Sequence, residues 1–250
     1  MAEPALALTA LRKSFGALVV TDDLSLSIEP GELHAVIGPN GAGKTTLINQ
    51  ISGLLLPDSG SIRFAGRDIT TMPAHARAKL GLARSFQVTS VLSGFSALEN
   101  VALAVQAHSG PSFRVVGDAA REEALNAPAR AALAEVGLAD RADVPAGHLA
   151  HGEKRALELA IALAADPKLL LLDEPMAGTG REETARLIAV LKKLKGRFAI
   201  MLVEHDMTAV FALADRISVM IYGHIVASGT PDAVRADPQV VAAYLGDEME

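Results

Sequence analysis

The sequence predicts an α/β fold built on a largely parallel sheet with helices on both faces. Strand-like and helix-like segments alternate along most of the chain. Leu33–Ile37 and Leu169–Leu172 read as strands buried on both faces, the second an unbroken apolar run. A glycine-rich loop at residues 38–45 joins the first of these strands to a helix. The chain has 250 residues, half of them hydrophobic, which suits one large α/β domain or a core with an attached subdomain.

In order, Leu6–Leu11 and Val19–Ile28 read as strands. If Asp22-Asp23 turns the chain, the second strand is Leu24–Ile28, whose apolar residues alternate. Strand 33–37 and a helix over 45–52 follow. Pro57-Asp58-Ser59-Gly60 reads as a turn, and Ser61–Phe64 as a short strand ended by Ala65-Gly66. Residues 95–107 and 119–136 are helical in pattern, with Pro128 splitting the second or opening a new helix. The stretch 107–118 reads as a loop. An Ala/Leu-rich helix over 153–165 ends at Asp166-Pro167. Strand 169–172, helix 182–194, strand 198–203, helix 207–214, strand 216–222 and a helix near 237–245 finish the chain. The helical block interrupts the alternation, so residues 1–87 and 156–250 are expected to form the core and 88–155 a subdomain.

Composition narrows the function. A net charge of −6 argues against a general nucleic-acid binder. With no cysteine, disulfides and thiolate metal sites are excluded. No apolar run approaches the roughly 18–20 residues of a membrane span. Met1-Ala2-Glu3-Pro4 does not read as the start of a signal peptide, which favours the cytoplasm. His148 and His151 stand three apart but have no third metal ligand beside them.

The chemistry starts at Gly38, Pro39, Asn40, Gly41, Ala42, Gly43, Lys44 and Thr45, which fit G-x-x-x-x-G-K-[ST]. Glycines let backbone N–H groups turn inward around phosphate oxygens, and the following helix start adds a positive dipole. Lys44 would reach the β- and γ-phosphates and Thr45 would sit on Mg²⁺, with Thr46 also among the nucleotide-binding candidates. Strand 169–172 feeds two adjacent carboxylates at the edge where such sheets bind ligands. Asp173 fits the Mg²⁺ role and Glu174 the residue that orients and activates attacking water. Glu174, His205 and Lys44 are the catalytic candidates.

The chain resembles an ATP-binding cassette (ABC) ATPase over nearly its full length. The family's signature, near L-S-G-G-Q, is matched by Leu149, Ala150, His151, Gly152 and Glu153, ahead of the Asp173-Glu174 strand. Its Q-loop glutamine is matched by Gln87, its switch histidine by His205 and its adenine-stacking aromatic by Phe15. The resemblance implies a RecA-like P-loop NTPase core with an antiparallel β subdomain and an inserted helical subdomain. It implies ATP and Mg²⁺ as cofactors, the metal held by Thr45, Gln87 and Asp173. By the same resemblance Gln87 senses the γ-phosphate, His205 bonds it and holds water with Glu174, and Phe15 stacks on adenine. The signature segment would contact the ATP of a partner chain, giving a head-to-tail dimer with two sandwiched nucleotides.

The sequence departs from the family pattern at Ala150, which removes a serine hydroxyl, and at Glu153 in place of glutamine. Thr179 and Gly180 stand where a leucine and an aspartate are usual, which bears on communication between the two sites. Leu149–Arg155, Met176-Ala177-Gly178 and Ile225–Pro231 resemble the branched-chain amino acid uptake branch, whose members also carry amides, urea and small organic acids. The expected role is the ATPase subunit of an importer, at the cytoplasmic face of the membrane. Its partners would be a second copy or a similar ATPase, a separate permease and, indirectly, a solute-binding protein, with no nucleic acid. The alternative is a soluble ABC ATPase acting on nucleic acid or ribosomes; one cassette, no heptads and negative charge weigh against it. A kinase or GTPase is disfavoured by motif order, and an exporter half by the missing membrane span.

Overall fold

The structure, a computed structural model, describes residues 3–85, 91–109 and 122–240. The strands are β1 (Leu6–Phe15), β2 (Leu18–Ile28), β3 (Leu33–Ile37), β4 (Ser59–Phe64), β5 (Arg67–Asp68), β6 (Leu82–Arg84), β7 (Leu169–Asp173), β8 (Ala199–Val203), β9 (Arg216–Ile221) and β10 (His224–Gly229). The helices are α1 (Lys44–Ser52), α2 (Ala74–Lys79), α3 (Ala97–Ser109), α4 (Glu123–Glu135), α5 (His151–Leu163), α6 (Arg181–Leu194), α7 (Met207–Leu213), α8 (Pro231–Ala236) and α9 (Pro238–Val240). Gln87, most of the expected 107–118 loop and the end of the expected 237–245 helix lie outside the described residues.

Six strands form the central sheet in the order β10-β9-β3-β8-β7-β6, all parallel except β10. Strand periodicity sends successive side chains to opposite faces. Leu170, Leu172, Ile200 and Leu202 therefore pack with α3 to α7, while Leu169, Leu171, Met201 and Val203 pack toward α1. A second, antiparallel sheet, β2-β1-β4-β5, covers the outer side of α1. Leu47, Ile48 and Ile51 of α1 are fully buried between the two sheets. The helix that starts at the glycine loop is thus fixed from both sides by apolar burial, each such side chain contributing ~1.5–3 kcal/mol.

Several elements differ from expectation. Of the two readings of the second strand, the continuous one holds and the turn does not form: β2 runs through Asp22-Asp23, because Asp23 takes φ 52 and absorbs a register shift as a bulge. α4 continues past Pro128, whose lost hydrogen bond is offset by burial of Leu125, Ala129, Ala132 and Leu133. α5 begins at His151 rather than 153. β5, β6, β10, α2 and α8 were not expected from the pattern; they span two to six residues each, too short for a period to declare itself. Arg77 explains α2. It is fully buried, and its guanidinium donates to the carbonyls of Gln50, Ile51, Thr70 and Met72, closing the end of α1. Among the described residues no helix is long and apolar enough to cross a membrane.

The base of the central sheet carries a polar network. Glu32 accepts from Arg216 at 2.7 and 3.1 Å and pairs with His34 Nδ1 at 3.2 Å, while His34 Nε2 meets Ser218 Oγ at 2.8 Å. Burial raises the Glu32 pKa, but bonds from His34, Arg216 and the Glu29 amide outweigh it and bring it from 4.5 to about 2. A lowered carboxylate stabilises the fold above its unfolded pKa and loses that contribution as pH falls through the folded one. The contribution, on the order of 3 kcal/mol, should therefore fade between pH 4.5 and about 2. Arg216→Met should be less stable than the parent in urea at pH 7, and the gap should narrow markedly at about pH 3. An unchanged gap would show that the ion pair does not set the acid response.

Candidate functional site

The site lies where β3, β7 and β8 end at the carboxyl edge of the central sheet. β3 delivers the chain to Gly38, whose φ of 153 brings it so close to β9 that a Cβ would stand 2.0 Å from the Met220 carbonyl oxygen. Gly43 caps α1 at φ 105, and a Cβ there would stand 2.4 Å from the Val20 oxygen. Both positions require glycine, so the loop is held against β2 and β9 in one conformation. Gly223, at the β9–β10 turn, donates to Ala42 O at 3.0 Å and fastens the loop further.

The start of α1 has no side-chain cap and no acid in its first turn. Its first N–H groups are available to an external anion. Thr45 is exposed there and Thr46 half-buried, while Pro39, Asn40 and Gly41 form the open rim of the loop. Lys44 is 7% exposed and folds back, Nζ donating to Gly38 O at 2.6 Å and Pro39 O at 3.0 Å. Burial lowers its pKa, and the charges of Glu174 and Asp173 work against that shift.

Asp173 ends β7 at 1% exposure. One carboxylate oxygen accepts from Arg84 Nη2 at 3.2 Å; the other, Oδ1, is buried and has no hydrogen-bond partner among the described residues. Burial raises its pKa, Arg84 and Lys44 pull it down, and Glu174 pushes it up. Glu174 follows at φ 47, half-buried, with its N–H on Val203 O at 2.8 Å. His205, just beyond β8, has a side chain 60% exposed. Asp173, Glu174 and His205 therefore emerge from the ends of two adjacent strands. Phe15 ends β1 beside the hairpin, 51% exposed and outside the core, with Lys13 Nζ 5.7 Å from its ring centre. Gln87 falls outside the described residues.

The signature segment opens α5. Leu149 is buried, while Ala150 and His151 are exposed. Ala150 holds the N-cap position with no side-chain acceptor, and its N–H goes to Glu153 Oε2 at 2.9 Å. That bond, with Arg141 alongside, lowers the Glu153 pKa. Where the sequence lacks the usual loop aspartate, Thr179 Oγ donates to Met176 O at 2.7 Å and meets Thr184 Oγ at 2.8 Å, closing the loop on itself.

Two residues of this region carried no sequence reading. Arg84 reaches Asn49 Oδ1 at 2.6 Å and Ser52 Oγ at 3.1 Å as well as Asp173, so it joins α1, β6 and β7. Its signal is a charge within an apolar strand, Leu82-Ala83-Arg84, that demands a buried partner. Glu204 shows the pattern that singled out Asp173, an acid directly after a buried apolar strand.

A glycine-constrained loop running into an uncapped helix start, beside a buried lysine at the edge of a parallel sheet, defines a nucleotide-binding P-loop protein. Residues 21–177 match the family described as ABC transporter, and residues 224–250 match that of the branched-chain amino acid ATP-binding cassette transporter. The chain is 37% identical to the high-affinity branched-chain amino acid transport ATP-binding protein BraF of Pseudomonas aeruginosa, over 99% of this chain and all of that one. It is 36% identical to LivG of Escherichia coli K12, a protein of the same description, over 99% and 100% of the two chains. A nucleotide-free ATP-binding cassette of an ABC transporter superposes with a TM-score of 0.86 at 30% identity, covering 97% of this chain and 99% of that one. The ADP conformation of a cassette of this kind gives 0.86 at 30% identity, covering 98% and 100%. The chain belongs to the ABC transporter family as an ATP-binding cassette ATPase.

Replacing Lys44 with Ala removes the buried cation of the glycine loop and should weaken ATP binding by a few kcal/mol, roughly a hundredfold or more. Gly43→Ala should abolish nucleotide binding with the fold retained, because the added carbon meets Val20 O. Titration of a fluorescent ATP analogue, with circular dichroism as the folding control, checks both. Parent-like affinity in either variant would contradict the loop geometry.

Proposed function

We propose that the chain is the ATP-hydrolysing subunit of an importer. It would power uptake of a small solute, such as a branched-chain amino acid, an amide or an organic acid, through a separate permease. The observation that carries the reading is the convergence at one sheet edge of the uncapped α1 start, buried Lys44 and an Asp173 oxygen that has no partner among the described residues. The match of residues 224–250 and the descriptions of BraF and LivG support the importer branch and its class of solute.

In this reading Lys44 exchanges the carbonyls of Gly38 and Pro39 for β- and γ-phosphate oxygens. Backbone N–H groups of the loop and the helix start hold the phosphates, those of Lys44, Thr45 and Thr46 among them, and Phe15 offers a face to adenine. Mg²⁺ fits the donor set: Asp173 has a buried oxygen without a partner among the described residues, and exposed Thr45 stands at the helix start. Bound there by Asp173, Thr45 and Gln87, the ion would neutralise phosphate charge. Glu174 orients water and takes its proton, and His205 bonds the γ-phosphate as the phosphoryl group passes to that water, the bond from the γ-phosphorus to the bridging oxygen breaking and ADP leaving. Residues 149–153 complete the ATP site of a partner, either a second copy or a similar ATPase, in a head-to-tail dimer. With Ala150 at the cap, backbone donors and the helix dipole supply that contact.

The subunit would sit peripherally at the cytoplasmic face of the membrane, reaching a solute-binding protein only through the permease. Residues 88–155 would act as the subdomain facing the permease, against a core of 1–87 and 156–250. Exposed Leu92 and Phe95 support this. Asn100 braces their loop, bonding Leu92 N and the carbonyls of Leu92, Phe95 and Ser96. Among the described residues an apolar groove of about 420 Å³ opens between α2, α3 and α5, lined by Leu54, Ala78, Ala104, Ala107 and Ile161. The surface at Val91, Leu92 and Phe95 is the proposed seat of a short permease helix.

Glu174→Gln should bind ATP, hydrolyse it at least about a hundredfold more slowly, and elute as a dimer with ATP but not with ADP. Normal hydrolysis would remove Glu174 from this role. Leu92→Asp should leave ATP binding and basal hydrolysis within about twofold, because its side chain lies outside the core. It should abolish transport and permease-stimulated hydrolysis in reconstituted vesicles. Unfolding of that variant, or unimpaired transport, would move the docking surface elsewhere.

A further inference from the structure

The end of β8 holds a carboxylate that no step above uses. Glu204 follows Val203, and its side chain is fully buried. Its Oε1 accepts from the N–H of Met176 at 2.9 Å. Its Oε2 accepts from the N–H of His205 at 2.9 Å and, more weakly, from that of Asp206 at 3.4 Å. One side chain therefore joins the loop that leaves β7 after Glu174 to the loop that carries His205. A second clasp stands beside it, Glu174 N–H on Val203 O at 2.8 Å. On one side the chain of bonds continues through Met176 O to Thr179 and Thr184. On the other, Asp206 caps α7 by accepting from Ala209 N–H at 3.1 Å.

A buried ionised side chain is costly unless hydrogen-bonded, and backbone amides from both loops meet that need here. A fold that needed only to end β8 would not require a charge reaching across to β7. Glu174 takes a left-handed φ of 47, a strained conformation for a residue with a side chain, which persists only where neighbours hold it.

We propose that Glu204 is a positioning residue that fixes His205 and Glu174 in one mutual geometry by bridging the two loops that carry them. The proposal rests on the roles of Glu174 and His205 given above. Gln at 204 keeps the length and one acceptor but replaces the other oxygen with an amide nitrogen that cannot accept. One of the two loops is then released. Asp keeps both oxygens but is one methylene shorter.

The test measures kcat and KM for Mg-ATP, and the affinity for a fluorescent ATP analogue, in Glu204→Gln, Glu204→Asp, His205→Ala and the double variant Glu204→Gln/His205→Ala. Thermal unfolding checks each fold. Glu204→Gln should lower kcat ten- to a hundredfold while nucleotide affinity changes less than threefold, and Glu204→Asp should be intermediate. In the His205→Ala background the Gln substitution should cost less than threefold more, because a geometry already lacking its histidine has little left to lose. Parent-like kcat in Glu204→Gln, equal losses in kcat and affinity, or fully multiplicative losses in the double variant would each overturn the proposal. Failure of both single Glu204 variants to fold would also overturn it, making the carboxylate a folding requirement. Should Glu204→Gln not fold, the Asp variant must show the kcat loss at retained affinity, or the proposal fails. Normal turnover in His205→Ala would instead overturn the functional reading on which the proposal rests.

Discussion

Asp173 ends a strand of buried leucines, and its own carboxylate is as buried as they are. Taking a charge out of water costs several kcal/mol unless partners replace the lost solvation. Here one oxygen has Arg84, Lys44 acts at longer range, and the other oxygen has no partner among the described residues. Arg84 in turn must be held, and it is, by Asn49 and Ser52 on α1. The helix that starts at the phosphate loop, the strand leading toward Gln87 and the strand bearing the carboxylate are thereby tied through one buried pair. A site with an unmet acceptor beside a buried lysine is built for a ligand that brings its own charges.

The surroundings make that arrangement rigid. α1 is gripped between two sheets by Leu47, Ile48 and Ile51, and its far end is closed by the buried Arg77 guanidinium. At its near end, Gly38 and Gly43 lie too close to β9 and β2 for any side chain to fit. Packing density of this kind leaves few alternative positions for the loop. Across the site, β7 and β8 are joined beyond the sheet's own ladder by Glu204 and by the Glu174 amide. Preorganised donors and acceptors of this sort need little rearrangement when charge develops on a phosphate.

The helical side is more permissive. α5 presents Ala150 and His151 to solvent, with Glu153 occupying the amide that a capping side chain elsewhere would leave free. The loop after Glu174, in which Gly180 stands where an aspartate is usual, closes on itself through Thr179. The apolar groove beside α3 and Leu92 and Phe95 are the surfaces that a lone domain has least reason to expose.

The sequence by itself determined the alternating architecture, the phosphate loop and the strand-end acids. Those depend on local spacing: a glycine pattern, four leucines and then two carboxylates, a histidine after an apolar strand. Strands β3, β7, β8 and β9 lie close to their expected bounds for the same reason, since burial on both faces writes itself as continuous apolarity. Short elements such as α2, β6 and β10 carry too few residues for any period to show. The helix through Pro128 defied its local signal because burial of the residues around it outweighs one lost hydrogen bond. Only the tertiary structure decided that Arg84 meets Asp173, 89 positions away, that Arg77 closes α1, and that Glu204 binds the amide of Met176, 28 positions earlier. The strand order brings those partners together, and a buried charge reveals its need for a partner in the sequence without revealing which residue will answer it.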